Sequence, residues 1–266
     1  MTTVTTTLGR RRTAEFVQLA DLCLSLAWKS FRVRYARTRL GVVWAVLQSV
    51  VLALTISFVF ERVFHAGGGP NYSIYVLSGI VPFQFTLMAI TESTISVVSN
   101  ASLVRKVALP RAIFPISSVI AVFLIMVAGL GVVVVASGIA GTLEFPRILL
   151  LFGTLVICFG LATSGGMIGA SIYVFRRDVQ FGIDAVGRIL LYATPVMYLP
   201  ERLGPGAASV VRWNPMSGAL SLSRAAVLGQ PIDGAAVLIA VGYLVVLFPI
   251  GLLLFNRRAA VYADLV

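Results

Sequence analysis

The stretch Leu24-Ser25-Leu26-Ala27-Trp28-Lys29-Ser30-Phe31-Arg32-Val33-Arg34-Tyr35-Ala36-Arg37-Thr38-Arg39 passes without a spacer into the charge-free run Leu40–Phe60. At about 100° per residue, Leu24, Trp28, Phe31 and Tyr35 fall on one narrow helical stripe, while Lys29, Arg34 and Arg37 spread round the other side. A helix of that pattern suits a membrane surface. The 21 uncharged residues that follow, at about 1.5 Å each, match the roughly 30 Å hydrocarbon core of a bilayer. The pattern predicts an amphipathic interface helix within 15–39, an elbow at Leu40-Gly41 and a spanning helix over about 41–61. A cationic collar then stands at the mouth of whatever the spans enclose.

Composition extends this reading to the whole chain. Hydrophobic residues make up 59% of it, charged residues 12%, and the mean hydropathy is +0.98, which together describe a polytopic membrane protein. A net charge of +11 would suggest nucleic acid in a soluble chain, but no nucleic-acid motif accompanies it. The placement of the basic residues explains the charge instead. Eight Lys and Arg precede the first span, three lie in 100–112, three in 176–188 and two after the last span, against five in the alternate connections. The positive-inside rule thus puts both termini in the cytoplasm. Cys23 and Cys158 belong to different regions, and with the single His65 they make neither a disulfide nor a structural zinc site, so no metal is expected. Arg10-Arg11-Arg12 is followed by no apolar core with a cleavage site, so residues 1–14 are expected to stay as a disordered cytoplasmic tail.

Further along the chain, Gly67-Gly68-Gly69-Pro70-Asn71 turns it outside the membrane, and a second span runs from Tyr72 or Ser73 to about Asn100. This span contains Pro82, expected to kink it, and Glu92, a carboxylate costly enough in hydrocarbon that it should face protein or water. Glu92 is read as lining a path, pairing with Arg188 or hydrogen bonding between helices. Asn100–Arg111 is polar and basic and reads as a short cytoplasmic helix stopped by Pro110. Ala112–Leu143, with 32 uncharged residues, holds a third span. Ile148–Phe175 is a fourth, softened by Gly165-Gly166 and Gly169. The fifth apolar segment is only 12 residues long, Ile189–Pro200, so that crossing must begin among Asp184 and Arg188 or be short and broken. Residues 201–233, punctuated by Gly204-Pro205-Gly206, Trp213-Asn214-Pro215 and Gly229-Gln230-Pro231, read as short re-entrant helices dipping into the outer surface. Gly234–Asn256 is the sixth span, and 257–266 is a cytoplasmic tail. The fold class is therefore all-α: six transmembrane helices over 40–256, with the interface helix before them and re-entrant helices before the last.

No phosphate-binding loop, dinucleotide fingerprint, HExxH or GxSxG occurs, so the chain is not expected to be an enzyme by itself or to hold a cofactor. Several ordered motifs carry a family resemblance. They are Trp28-Lys29, Arg34-Tyr35 and Thr38-Arg39-Leu40-Gly41 with Trp44; Asn100 with Leu103-Val104-Arg105-Lys106-Val107 and Pro110-Arg111; Phe175-Arg176-Arg177-Asp178-Val179; and Tyr192 with Thr194-Pro195-Val196-Met197-Tyr198 and Trp213-Asn214-Pro215. This set resembles the transmembrane subunits of ABC-2 type polysaccharide exporters, over nearly the whole chain beyond about residue 15.

The resemblance implies a channel-forming permease that dimerises with a second copy and pairs with two separate nucleotide-binding subunits, which bind the ATP and Mg. The cargo it implies is a polyprenyl-pyrophosphate-linked polysaccharide, such as O-antigen, teichoic acid, capsule or galactan, exported across the bacterial plasma (inner) membrane. It makes 100–111 a coupling helix, with Asn100, Arg105, Lys106, Pro110 and Arg111 as ATPase contacts, where the plain alternative is a basic loop. It makes Lys29, Arg32, Arg34, Arg37 and Arg39 the entrance for the pyrophosphate, where the alternative is attraction to anionic lipid. It makes 201–233 an outer gate. Glycans pass along aromatic faces, so Tyr35, Trp44, Phe83, Phe85, Glu92, Tyr173, Tyr192, Tyr198 and Trp213 are channel candidates, with interfacial anchoring or packing as the alternative for each aromatic. Other readings are an ABC-2 exporter of small lipids or drugs, against which the basic Arg32–Arg39 segment argues, and a carrier or lipid-modifying enzyme, which wants more intramembrane charge than Glu92 supplies.

Overall fold

The computed structural model describes residues 3–35, 39–63, 65, 69–106, 109–259 and 262. Helix α1 spans Thr3–Tyr35, α2 Val42–Phe58, α3 Tyr72–Ser99, α4 Ala101–Lys106, α5 Ile113–Ile139 and α6 Leu150–Tyr173. Then come α7 Val179–Ala193, α8 Pro205–Arg212, α9 Pro215–Leu228 and α10 Gly234–Ala259. No strand occurs among the described residues. Five helices are long and apolar enough to cross a bilayer: α2 with its π-helical extension to Val63, α3, α5, α6 with the preceding short turn from Phe145, and α10.

α3 is the centre of the bundle. It packs against α5, α6, α2 and α9, and most of its residues from Tyr72 to Val97 are buried. It runs through Pro82 as one helix. Its seam with α6 depends on small residues. A Cβ on Gly166 would stand 2.3 Å from the Ser93 Cβ, and one on Gly169 would stand 2.2 Å from the Thr94 hydroxyl, so only glycine admits this approach. The glycines expected to soften the fourth span instead tighten it against the second.

Three findings differ from the sequence reading. First, α1 begins at Thr3, so 3–14 continue the helix where a disordered tail was expected. The run Leu8–Phe16 carries helix-forming Leu, Arg, Ala and Glu, and a helix already nucleated behind it extends at little cost. Second, α1 is seated on the bundle: Leu26 and Ala27 are buried and α5 is its main neighbour, whereas Leu24 and Trp28, on the predicted stripe, are exposed. Third, the segment read as the fifth crossing is not a long apolar helix. α7 has 15 residues, about 22 Å at about 1.5 Å per residue, too short for the roughly 30 Å core.

The packing nevertheless requires the chain to return there. α6 and α10 run parallel: Gly160 lies under Leu244, Gly251 lies against Ser164, and Arg258 Nη1 donates to the Ser171 carbonyl at 3.1 Å. Between them α7 runs antiparallel to α3, with Gly187 against Leu87 and the Thr91 hydroxyl 3.4 Å from Asp184 Oδ1. The non-helical segment 194–199 then completes the passage alongside the start of α3. α9 folds back antiparallel to α10, with Gly218 against Ala236 and Ala240 and the Asp233 N–H donating to the Ser221 hydroxyl at 2.8 Å.

A second hydrophobic cluster closes the end of the bundle that carries α4. Leu26, Val97, Val104, Phe114, Met167 and Phe255 meet there, and Tyr262 folds back onto Phe255 with ring centroids 5.2 Å apart. The residues beyond Asn256 are thus not all a free tail.

Candidate functional site

At the α4 end, α1, α3 and α5 enclose a cavity of about 600 Å³. Lys29, Ser30 and Arg34 come from α1, Glu92, Ser96 and Ser99 from α3, Asn100 from its C-cap and Ser118 from α5. Arg34 Nη2 and Glu92 Oε1 form an ion pair at 2.6 Å, with the two side chains 25% and 31% exposed. The spacing of α1 makes this possible: Leu26 and Ala27 seat the helix, and Arg34, two turns on, points inward beside them. Glu92 therefore pairs with Arg34, not Arg188, which is exposed on α7. A carboxylate within a span gains most from a cation that can reach it, and the long Arg34 side chain enters from the end of α1.

The remaining entrance residues have different surroundings. Lys29 is exposed at the rim, and Arg32 lies over the Trp28 ring at 5.4 Å. Trp28 stacks on Phe31 at 5.4 Å and Phe31 meets Tyr35 at 5.6 Å, so the aromatic stripe is continuous. Burial pushes the Tyr35 phenol above its usual pKa, with Arg34 opposing and Glu92 adding to the shift. Arg39 is exposed beyond the helix, and Arg37 lies outside the described residues.

Asn100 joins this cavity to α4. Its Nδ2 donates to the Ser96 carbonyl at 2.8 Å at the end of α3, and its own carbonyl accepts from Leu103 and Val104 N–H at 2.9 and 3.0 Å at the start of α4. Val104 is buried in the second cluster, which leaves Arg105 and Lys106 on the outside, with Pro110 exposed and Arg111 half-buried behind them. The predicted 100–111 helix is thus a six-residue helix followed by a non-helical return, with 107–108 outside the described residues.

The aromatic candidates fall into two groups. Trp44, Tyr192 and Trp213 are exposed on this subunit. Phe83 and Phe85 are core residues, and Phe85 packs over Gly129 of α5, so neither offers a face to a channel. Both belong to the main hydrophobic core, a burial that a sequence alone does not reveal. Tyr173 is buried beside Arg177, whose guanidinium lies 5.4 Å from its ring, and Tyr198 is half-buried with its hydroxyl donating to the Ala193 carbonyl at 3.1 Å.

Sequence reasoning missed the group at the other end. Four successive carbonyls of the non-helical segment, Pro195 to Tyr198, each accept from a side chain of another helix. Arg224 Nη2 serves Pro195 and, at 3.3 Å, Val196; the Tyr72 hydroxyl serves Met197; and the Tyr75 hydroxyl serves Tyr198 at 2.9 Å. Arg224 is only 4% exposed, and its guanidinium lies 3.6 Å from the Tyr75 ring centroid. The available signal was one arginine inside the otherwise uncharged 213–228 piece, together with two tyrosines three apart at the start of α3. Trp213-Asn214-Pro215 also acquires a mechanism. Asn214 Oδ1 accepts from the Met216 N–H at 2.9 Å as the N-cap of α9, Pro215 takes the first helical position, and Asn214 Nδ2 donates to the Thr194 hydroxyl at 2.8 Å.

Long apolar helices around a polar end cavity, with broken backbone satisfied by buried side chains, define a multi-pass helical membrane protein. The chain belongs to the ABC-2 type transporter family, whose pattern matches residues 21–228. It is 24% identical over 250 residues to an O-antigen export system permease protein RfbA of Klebsiella pneumoniae, covering 93% of this chain and 95% of that one. A Myxococcus xanthus protein of the same description is 23% identical over 188 residues, covering 71% and 72% of the two chains. The Escherichia coli polysialic acid transport protein KpsM is 25% identical over 246 residues, covering 88% and 92%.

Proposed function

We propose that this chain is the channel-forming permease of an ATP-driven exporter that moves a polyprenyl-pyrophosphate-linked polysaccharide from the cytoplasm across the plasma membrane. Two copies form the conduit, and two separate ATP-binding subunits supply ATP and Mg. Family membership and the full-length similarity to O-antigen and polysialic acid permeases support the class of cargo. The observation that carries the lipid-diphosphate reading is the cavity in which Lys29 and Arg34 converge with the hydroxyls of α1, α3 and α5. Arginine offers a planar fork to phosphate oxygens and lysine a compact charge, so together they suit a diphosphate held at a membrane surface.

In this reading the α4 end faces the cytoplasm, in keeping with the basic residues gathered before α2, in 100–112, in 176–188 and after α10. Arg105 and Lys106 then face the ATPase, and α8 and α9 form the outer closure. Exposed Trp44, Tyr192 and Trp213 stand where a partner copy, lipid or the passing glycan meets them.

The test is co-expression with the ATPase of the same export system, followed by an assay of ATP hydrolysis with and without polyprenyl-pyrophosphate glycan. A stable complex of two permeases and two ATPases, stimulated by that lipid, is the expected result. A permease that copurifies with no ATPase defeats the reading.

A further inference from the structure

At the same end of the bundle, where α6 and α10 finish side by side, a second cavity of about 510 Å³ is lined by Ile172, Phe175, Arg176 and Arg258. Arg258 is fixed from two sides: its Nη1 donates to the Ser171 carbonyl at 3.1 Å, and its guanidinium lies 5.6 Å from the Phe175 ring centroid. Phe175 in turn meets the Tyr262 ring at 6.5 Å and leaves 48% of its own surface exposed. Arg176 is exposed beside it. Arg34, Arg147 and Arg212 each have a carboxylate at 2.6–2.9 Å, whereas among the described residues neither Arg176 nor Arg258 has one at ion-pair distance. Arg177 and Arg257 are also exposed here and Asp178 is the acidic neighbour in the chain, so positive charge is in excess. The C-terminal ends of α6 and α10 are themselves partly negative; Arg258 answers that charge at the Ser171 carbonyl and leaves Arg176 to other anions. α10 is the least buried of the five long helices, with 11% of its most apolar stretch covered, so lipid has access to the cleft beside it.

We propose that this cleft is a binding site for one anionic phospholipid, its phosphate held between Arg176 and Arg258 and its glycerol and upper acyl carbons lying on Ile172 and Phe175. A monoanionic phosphodiester supplies the negative charge that the protein does not, and the planar fork of arginine fits its oxygens. Basic clefts between spans at a membrane surface suit such head groups, and the apolar floor suits the chains below them. Bound lipid joins the exit of α6 to the end of α10, and Phe255 and Tyr262 connect that junction to Val104 of α4 through the second cluster. The site shares no lining residue with the entrance cavity and does not depend on the nature of the cargo.

The experiment presents the full-length, detergent-solubilised permease with an equimolar mixture of phosphatidylglycerol and phosphatidylcholine and counts bound lipids by native mass spectrometry. Wild type is expected to keep one phosphatidylglycerol in preference to phosphatidylcholine. Arg176→Gln should lower that preference about fivefold, and Arg176→Gln with Arg258→Gln about thirtyfold, one factor for each lost charge. Arg62→Gln, which removes an exposed charge at the far end of α2, should leave it unchanged. Free sn-glycerol 3-phosphate in about tenfold excess should not displace the lipid, because Ile172 and Phe175 hold only a molecule with chains. Displacement would make this a site for free phosphate and overturn the lipid reading. An unchanged preference in Arg176→Gln, or an equal fall in Arg62→Gln, overturns the proposal. Arg176 is exposed, so its variant tests the site even where the loss of Arg258, with its bond to Ser171, disturbs the fold.

Discussion

Arg224 is the one buried charged side chain among the described residues, and its charge is met by backbone carbonyls and the Tyr75 ring. In a bilayer the carbonyls of a non-helical segment have no water to turn to, so their donors must come from the protein. Arg224, Tyr72 and Tyr75 are those donors. Arg224→Met keeps much of the volume but strands the Pro195 and Val196 carbonyls and removes the cation–π contact. We expect a loss of about 2–3 kcal/mol, measured as a drop in the thermal midpoint of the detergent-solubilised protein. Stability equal to wild type would mean that water already reaches those carbonyls. Asn214→Ala is expected to cost less, about 1 kcal/mol, because it removes one N-cap and one tether to Thr194. The same thermal measurement ranks the two.

Among the elements, those that stand on periodicity and length were legible. The charge-free runs after Leu40, Ala112 and Ile148 form α2, α5 and α6, and α3 begins at Tyr72, the first of the two starts, Tyr72 or Ser73, that the sequence offers. The basic stretch after Asn100 is legible as a short helix because a charge cluster and a proline occur in order, although α4 ends at Lys106, before the proline. Elements whose state depends on distant partners were not. α7 is exposed along much of its length and owes its register to Gly187 beneath Leu87, while α9 is a helix buried by α3, α6 and α10. No local pattern announces which neighbour will cover such a piece. The same holds for the inward turn of Arg34, which depends on how α1 sits on α5. The element that lends itself to a functional test is α4, anchored by Val104 with its basic end outward. Replacing Arg105 and Lys106 together by Glu reverses two exposed charges and leaves Val104 buried in its cluster, so the permease should still insert. If α4 docks on the ATPase as proposed, transport and lipid-stimulated ATP turnover in the complex should fall by about tenfold or more, since two attractive charges there become repulsive. Export at the wild-type rate would remove α4 from the ATPase interface.

For the whole molecule, the parallel course of α6 and α10 governs topology. Arg258 reaches the Ser171 carbonyl, so the C-terminal end of α10 lies at the same end as the exit of α6 and, through Met167, Val104 and Phe255, at the same end as α4. At the opposite end, the Thr142 hydroxyl donates to the Val227 carbonyl at 2.8 Å, and Arg147 stands beside Gly229. The exit of α5 and the end of α9 therefore share that end. A chain with only five crossings would put α4 and the end of α10 on opposite sides, so we propose that α7 together with 194–199 acts as a sixth crossing although α7 is too short to do so alone. The geometry permits it because Arg224, Tyr72 and Tyr75 satisfy the backbone that the helix leaves unpaired. Single cysteines at exposed Ser102, Ala140, Ala207 and Arg257, in a background with Cys23→Ala and Cys158→Ala, test this with a membrane-impermeant thiol reagent on intact cells. Positions 140 and 207 should be labelled from outside, and 102 and 257 only after the membrane is opened. Labelling of 257 from outside while 102 stays protected would show that the α7 passage does not cross, and the parallel packing of α6 and α10 would have to be abandoned with it.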